Sequence, residues 1–535
     1  MAYEDEYFRT LSDEELWQRY CGFMDISISE FMDIQRRLLM DQITRASDSF
    51  LGKKILNGAK PKSVEEFRRT IPITTYQDYE PYFSERREDV LGEKPLFWCH
   101  SAGRRGAYKW MPFTSAEYEV TAKYCISVCI LGTANKRGEV NFHPGDRVLM
   151  NLAPPPYTFG SILHYLSPYF TFQPQPPFDE AENVDFQTRL QQGFTLALQQ
   201  GTDVVVSLSS VMVKMGQSFV ERQKQMKLSP SLLSKPRFLS SLIRAKLVSK
   251  REKRAMLPRD LCQPKAALTG GTDTSIYREE ILYYWGVKPF EFYGSTDSGF
   301  IAMQNWNKRW MTFLPDIAFL EFIPEEETLK WADDPNYKPS TVLFDEVEPD
   351  KAYEIIITRF HGTPLFRFRV GDVIKFAALE DEETGVKLPQ MFFYHRAGET
   401  IDIASLARLD ERTIWKAIAN TGIKYEDWSA RKEYHGSQGF LRIYIELKEE
   451  RQAGEIEHLI DEQLKIIDVD YVDVGTELEL QPVKVTLLPS GTFQRYLTER
   501  QKEGADLAHL KPTHINAPDE IIQRLLKSSE VVSGK

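Results

Sequence analysis

The chain has 535 residues, 42% of them hydrophobic and 27% charged, the composition of a folded globular protein rather than a disordered or fibrous one. That length exceeds one ordinary core, so two or more domains are expected. The formal net charge of −11 argues against nucleic acid as a partner. No apolar run approaches the roughly 20 residues of a membrane span.

The opening stretch, MAYEDEYFRTLSDEELW, is acidic and lacks an apolar signal region, so the expected location is cytoplasmic. The five cysteines are scattered and read as reduced thiols; Cys125 and Cys129 lie one helical turn apart with no further metal ligand near them, so they read as core. Residues 1–60 have helical spacing, with Ser12 or Asp13 as a first cap. Ser63 opens a capping box, and Thr75 caps a further helix after the Pro-limited piece Ile71-Pro72-Ile73-Thr74. The segment His100–Pro112, HSAGRRGAYKWMP, follows an apolar Pro95-Leu96-Phe97-Trp98. Thr114 caps a helix running to Leu131.

Strands are predicted at Asp146–Ala153, Asp203–Leu208, Pro264–Leu268 and Pro289–Tyr293. They alternate with helices at Val184–Gln199, after Ser207–Ser210, and at Asp273–Tyr284. That alternation predicts a parallel, layered sheet. Two of these strands end in small polar loops, Thr269-Gly270-Gly271-Thr272 and Gly294-Ser295-Thr296-Asp297-Ser298-Gly299. In a strand–helix–strand unit both loops leave at one sheet edge, where open α/β sheets bind ligands. A Gly-Gly turn lets backbone approach a flat ring, and Ser, Thr and Asp oxygens suit phosphate and Mg²⁺. Beyond residue 300 the chain turns strand-rich, with strands expected at Ile317–Phe322, Thr341–Phe344, Tyr353–Thr358, Val373–Phe376 and Gln390–Tyr394. Antiparallel strands closing a small barrel fit that stretch. After residue 396 helices at Leu409–Asn420 and Glu455–Ile466 and strands at Gly439–Glu446 and Glu477–Leu487 read as a small α+β domain of roughly 140 residues, a common domain size.

Several of these segments carry a resemblance. Tyr293-Gly294-Ser295-Thr296-Asp297 resembles the Tyr-Gly-Ser/Thr-Ser/Thr-Glu motif of the adenylate-forming superfamily, which includes acyl-CoA synthetases, peptide-synthetase adenylation domains and luciferase. The dodecapeptide His361–Asp372 and the segment Arg68–Tyr79 resemble, within that superfamily, the auxin-responsive acyl-acid amido synthetases, the Gretchen Hagen family, and their bacterial relatives. The resemblance spans residues 64 to 512 and implies a large adenylation domain, 1–395, and a mobile small domain, 396–535, joined by a hinge near 396–400. It implies activation of a carboxylic acid by ATP and Mg²⁺ as an acyl-adenylate, then transfer of the acyl group to an amine, with an amino acid as the acceptor.

Roles carry over residue by residue. Ser101, Gly103, Gly106 and Lys109 fall on the family's phosphate loop, where Arg104 and Arg105 replace hydroxyl residues; that Arg pair either contacts phosphate or faces solvent. Gly270, Gly271 and Thr272 are expected against adenine with Tyr293 stacked on it, beside Gly294, Ser295 and Thr296. Asp372 is expected to accept from the ribose hydroxyls. Asp297 stands where the family has Glu and is expected to help hold Mg²⁺, its shorter arm shifting the ion or calling for a bridging water. Arg396 matches the hinge arginine that reaches the nucleotide. Lys511, in His-Leu-Lys-Pro-Thr, falls on the lysine of the family's Tyr-Lys-x-Pro-Arg element, whose cation bridges the acyl carboxylate and the α-phosphate; the alternative is a solvated surface lysine. Tyr157, Phe159, Ser210 and Phe292 are candidates for the acyl pocket, with ordinary loop or core packing as the alternative for each. Two other functions stay open: a thioester ligase acting on coenzyme A or a carrier protein, and a non-catalytic relative that binds a nucleotide or acyl ligand.

Overall fold

The computed structural model describes all residues except 1, 101–107, 182–183, 185, 224–235, 271–273, 334–336, 397–399, 404–406, 436–437, 469–470, 473, 475–481, 503–513 and 531–535. The chain divides into two compact units, the first ending at residue 397 and the second built from residue 398 onward.

Local sequence sets the helices of the N-terminal region. Ser12 and Ser27 each accept from the backbone three residues on, while Glu15 and Glu30 reach back, closing capping boxes at the heads of Asp13–Cys21 and Ile28–Ala46. Ser63 caps Val64–Thr70, and Thr75 with Asp78 caps Tyr76–Phe83. Thr114 caps the long helix Ser115–Thr133.

The first unit is organised on one 11-stranded sheet. A separate hairpin, β1 (Phe97–His100) and β2 (Trp110–Phe113), flanks residues 101–107. One wing of the large sheet is parallel, in the order β4 (Gln173–Gln175), β3 (Arg147–Asn151), β5 (Val204–Leu208), β6 (Ala266–Gly270), β7 (Pro289–Ser295). The Ser115–Thr133 helix packs on it so closely that a Cβ at Gly132 would come within 2.4 Å of Leu268.

The other wing is antiparallel: β8 (Gly299–Gln304), β9 (Met311–Phe313), β13 (Gln390–Arg396), β12 (Phe368–Ala378), β11 (Ala352–Arg359), β10 (Ala318–Pro324). β7 joins the wings. Its first half pairs parallel with β6, and its second half pairs antiparallel with β8.

Three expectations change here. Pro289–Tyr293 does not run into an open loop but turns straight back as a β-hairpin with β8. The antiparallel strands form the continuation of the sheet, in an open order, rather than a closed barrel; β7 has one edge for each wing, so no separate barrel is needed to pair them. Thr341–Phe344 makes one isolated bridge, Phe322↔Val342, instead of a strand.

In the second unit, β14 (Thr400–Ile403) and β15 (Ala407–Asp410) form a hairpin, and β16 (Tyr425–His435), β17 (Gln438–Leu447) and β18 (Val483–Leu488) form a mixed three-stranded sheet. Helices Glu411–Asn420 and Ala453–Ile467 complete the α+β pattern. Among the described residues no helix is long and apolar enough to cross a membrane.

Candidate active site

The tip of the β7–β8 hairpin is fixed by its own hydroxyls. The Ser295 and Ser298 amides each donate to the other residue's Oγ at 3.0 Å. Gly294 is required because a Cβ there would lie 2.4 Å from the Gly299 carbonyl oxygen, and Gly299 itself sits at φ +66°. Thr296 is tied outward, its hydroxyl 2.7 Å from that of Thr158 at the head of the Thr158–His164 helix. Thr158 also donates to the His100 carbonyl at 3.3 Å, and the His100 amide donates to Pro156 at 3.0 Å. The end of β1, the 154–158 turn and the hairpin tip therefore meet at one place.

Residues on either side of 101–107 lie at the same place. The His100 and Tyr108 rings stack with centroids 4.0 Å apart. The Trp110 amide donates to the Tyr76 hydroxyl at 2.9 Å. Burial pushes the Tyr76 phenol up to about 12, and the nearby Asp297 charge adds to the shift. Cys99 is raised to about 11, again by burial first, with Asp297 contributing. Asp297 thus projects its charge onto the end of the β1–β2 hairpin. Lys109 is exposed, with Nζ 5.5 Å from the Tyr76 ring centroid.

Two motifs 79 residues apart meet in a buried hydrogen bond: the Tyr293 hydroxyl donates to Asp372 Oδ2 at 2.6 Å. Asp372 follows Gly371, at φ +80°, and pairs in register with Arg396 across β12 and β13. Gly270 closes β6, where a Cβ would press to 3.2 Å on the Phe292 ring. Gly270, Tyr293, Gly294, Ser295, Thr296, Asp297 and Asp372 therefore lie on connected strand ends of the first unit. Ser101, Gly103, Arg104, Arg105, Gly106, Gly271, Thr272, Lys511 and the side chain of Arg396 lie outside the described residues.

What the sequence reading missed is how Asp372 is held. The Arg68–Tyr79 segment, to which no chemistry attaches, is a strap. Its Thr74 amide donates to the Arg367 carbonyl at 2.9 Å, and the Arg369 amide donates back to Thr74 at 2.8 Å. Thr74 and Tyr79 hydroxyls both reach the Phe366 carbonyl, at 2.6 and 3.3 Å. Arg367, at φ +42°, is gripped by Glu321 through two bonds of 3.0 and 2.8 Å and donates to the Arg68 and Ile71 carbonyls. A second pair, Arg359 with Glu117, is fully buried, and Glu117 also accepts from Thr363 at 3.0 Å. Gln42 completes the frame, exchanging bonds with Gly362 and Thr363 at 2.8 Å each. The only sequence signal for this scaffold is the pair of arginines in His361–Asp372, Arg367 and Arg369, two positions that an exposed motif would also tolerate.

Behind the hairpin lies a cavity of about 40 Å³ with wholly apolar walls. Phe159 and Phe292, two of the four candidates for the acyl pocket, line it; Tyr157 and Ser210 do not.

This arrangement, a parallel sheet whose strand ends bring a Tyr-Gly-Ser-Thr hairpin against a buried Asp, defines a protein of the adenylate-forming fold. The fold is shared with an acyl acid amido synthetase solved in complex with 2,4-DB (AtGH3.15; TM-score 0.53, 16% identity, 97% of each chain covered). It is also shared with a 2-hydroxyisobutyryl-CoA ligase solved with 2-HIB-AMP and CoA (TM-score 0.55, 14% identity, 87% of each chain covered). The chain belongs to the GH3 family: it matches the family's N-terminal domain over residues 23–224, its central domain over 311–396 and its C-terminal domain over 411–520. Among curated relatives, jasmonoyl–L-amino acid synthetase JAR4 of Nicotiana attenuata is 26% identical over 238 residues, 41% of this chain and 37% of that protein. Indole-3-acetic acid-amido synthetase GH3.3 of Arabidopsis thaliana is 24% identical over 219 residues, 37% of this chain and 33% of that protein. The matched stretches span about a third of those relatives' length.

Proposed function

We propose that this chain is an ATP-dependent acyl-acid amido synthetase, activating a carboxylic acid as its acyl-adenylate and passing the acyl group to the amine of an amino acid. The Tyr293–Asp372 hydrogen bond carries the reading, because it joins the motif at the end of β7 to the motif on β12, beside the strand ends where open α/β sheets bind ligands. The amino acid acceptor is supported by the relatives' activities as jasmonoyl–amino acid and indole-3-acetic acid-amido synthetases.

In the proposed mechanism Asp372 accepts the ribose hydroxyls, one carboxylate oxygen for each. Tyr293 flanks the adenine and, through its hydroxyl, orients Asp372. Gly270, Gly271 and Thr272 form the opposite edge of the base site. Ser101, Gly103, Gly106 and Lys109 contact the phosphates, and the Arg104 and Arg105 guanidiniums offer them forked donors. Asp297 is a single carboxylate whose charge reaches Tyr76 and Cys99 at this edge. That fits Mg²⁺, which is commonly held by one or two carboxylates together with substrate phosphates and water. Asp297 would hold the ion, which when bound neutralises phosphate charge. Arg396 and Lys511 supply cations against charge developing on the α-phosphate and acyl oxygens. A hinge near 396–400 between units 1–395 and 396–535 would bring them in turn to the site. Five free thiols support a reducing, cytoplasmic setting.

ATP–pyrophosphate exchange with Mg²⁺ over a panel of carboxylic acids tests this. Acid-dependent exchange, followed by amide formation with an amino acid, is the expected result. Exchange with turnover only onto coenzyme A or another thiol replaces the amide reading with thioester ligation. ATP binding without exchange across the panel leaves a nucleotide-binding relative.

A further inference from the structure

The apolar cavity behind the hairpin narrows the acid, and the argument rests on the adenylation reading above. Cys125 and Val128 of the Ser115–Thr133 helix form one wall, Phe159 a second, and Val206 of β5, Phe292 of β7 and Phe300 of β8 the floor. Each aromatic wall residue neighbours a residue of the polar site. Phe292 precedes Tyr293, Phe300 follows Gly299, and Phe159 follows Thr158, whose hydroxyl meets Thr296. The cavity walls are thus one residue removed along the chain from the polar site, and the acid inferred below has its carboxylate at that site and its tail in the cavity.

Two physical features limit what enters. First, size. A water-sized group needs roughly 10–15 Å³ of such space, and a cavity that accepts benzene measures roughly 150 Å³. The 40 Å³ here holds about three to four chain atoms and no ring. The three phenylalanines resist enlargement because they pack edge to face in series, Phe159 on Phe292 at 5.7 Å and Phe292 on Phe300 at 5.2 Å. Phe292 is backed in turn by Gly270. Second, charge. No wall residue is ionised: burial pushes the Cys125 thiol up to about 12, so it stays neutral. A second charged group on the acid would be buried without a partner.

We infer that the acid activated by this protein is a monocarboxylic acid with a short, uncharged alkyl tail, of the size of butanoic or pentanoic acid, and not a ring-bearing acid, a dicarboxylic acid or an amino acid. Each methylene added until the cavity is full raises kcat/KM for exchange by roughly fourfold, the value of one buried methylene.

The test is ATP–pyrophosphate exchange with acetate, butanoate, pentanoate, octanoate, benzoate, indole-3-acetate and succinate, paired with calorimetric binding of the same acids in the presence of AMP. The expected result is a maximum at butanoate or pentanoate, with benzoate, indole-3-acetate and succinate at least tenfold lower. Equal or better exchange with a ring acid overturns the size argument and leaves adenylation standing. If no acid supports exchange, binding decides: pentanoate bound in preference to benzoate keeps the size argument while the adenylation reading falls, and no such preference removes both. Two variants locate the effect. Val128→Phe fills the cavity and is expected to cut pentanoate kcat/KM at least tenfold with ATP affinity unchanged. Phe159→Ala opens it and is expected to move the maximum towards longer or ring-bearing acids. An unchanged acid profile in a folded Phe159→Ala protein overturns the assignment.

Discussion

The two wings of the central sheet are held by different forces. In the parallel wing the strand centres Val148–Met150, Val204–Val206 and Ala266–Leu268 are apolar, the ion pairs Arg147–Asp203 and Lys265–Asp146 sit at the strand starts, and the contact that fixes the covering helix is Gly132 on Leu268, a matter of shape. On the antiparallel wing three arginines are held by buried acids: Arg367 by Glu321 of β10, Arg369 by Glu354 of β11, and Arg359 of β11 by Glu117 of the Ser115–Thr133 helix. A buried pair adds little net stability, since desolvation offsets the attraction, but removing one partner strands a charge. Apolar packing is tolerant in direction, whereas forked Arg–carboxylate pairs fix position. The wing that must aim Asp372 is the one laced with charge.

The largest break in this contrast is expected from Glu321→Ala, which strands Arg367. A loss of about 3–5 kcal/mol in denaturant unfolding is expected, while Glu321→Leu with Arg367→Met together should recover most of it. In the parallel wing Leu268→Ala is expected to cost about 2–5 kcal/mol, the range for a buried leucine, without a charge-swap rescue. If the antiparallel single variant proved no worse than a surface change, the contrast would collapse.

At the junction of the wings, Asp372→Ala removes the proposed ribose acceptor. ATP affinity is expected to fall by a factor corresponding to about 1.5–3 kcal/mol, measured by calorimetry, and Tyr293→Phe should give a smaller loss in the same assay. The smallest effect belongs to the second unit. There His514 stacks on Trp428, centroids 4.6 Å apart, and its ring nitrogens lie 2.6 Å from Glu411 and 2.8 Å from Asp427. Asp427 and then Glu411 hold its pKa above the ordinary histidine value, against the opposing effect of burial. A raised folded pKa stabilises below the unfolded value near 6.5, and that contribution is lost as pH rises through the folded one. His514→Gln should remove this pH dependence of unfolding, at a cost up to about 1 kcal/mol below pH 6, as for a partly exposed ion pair.

The sequence exposed the parallel wing well because β5, β6 and β7 are short apolar runs closed by glycine or serine turns, and local chemistry decides such elements. The helix caps at Ser12, Ser63, Thr75 and Thr114 were legible for the same reason. The strap was not. Thr74 and Tyr79 find their partner near residue 366, and no local pattern encodes a pairing across such a distance. β16 escaped notice because YEDWSARKEYH is too polar to read as a strand; only its Trp428–Ala430 centre is buried. Among the candidate site residues, those on strand ends were legible as a cluster. The cavity was legible only through Phe159 and Phe292, since Val128 and Phe300 come from a helix and a strand that merely pass behind it.

β7 has a consequence of its own. Side chains alternate along a strand, so Phe292 and Tyr293 face opposite sides of the same ribbon, one toward the apolar cavity and the other toward Asp372. Under the proposed function the strand is a two-sided gauge, measuring the acid on one face and the nucleoside on the other from a single backbone register. Point substitutions at Phe292 can retune one face while the other keeps its reading. An insertion or deletion of one residue would exchange the faces and lose both measurements at once.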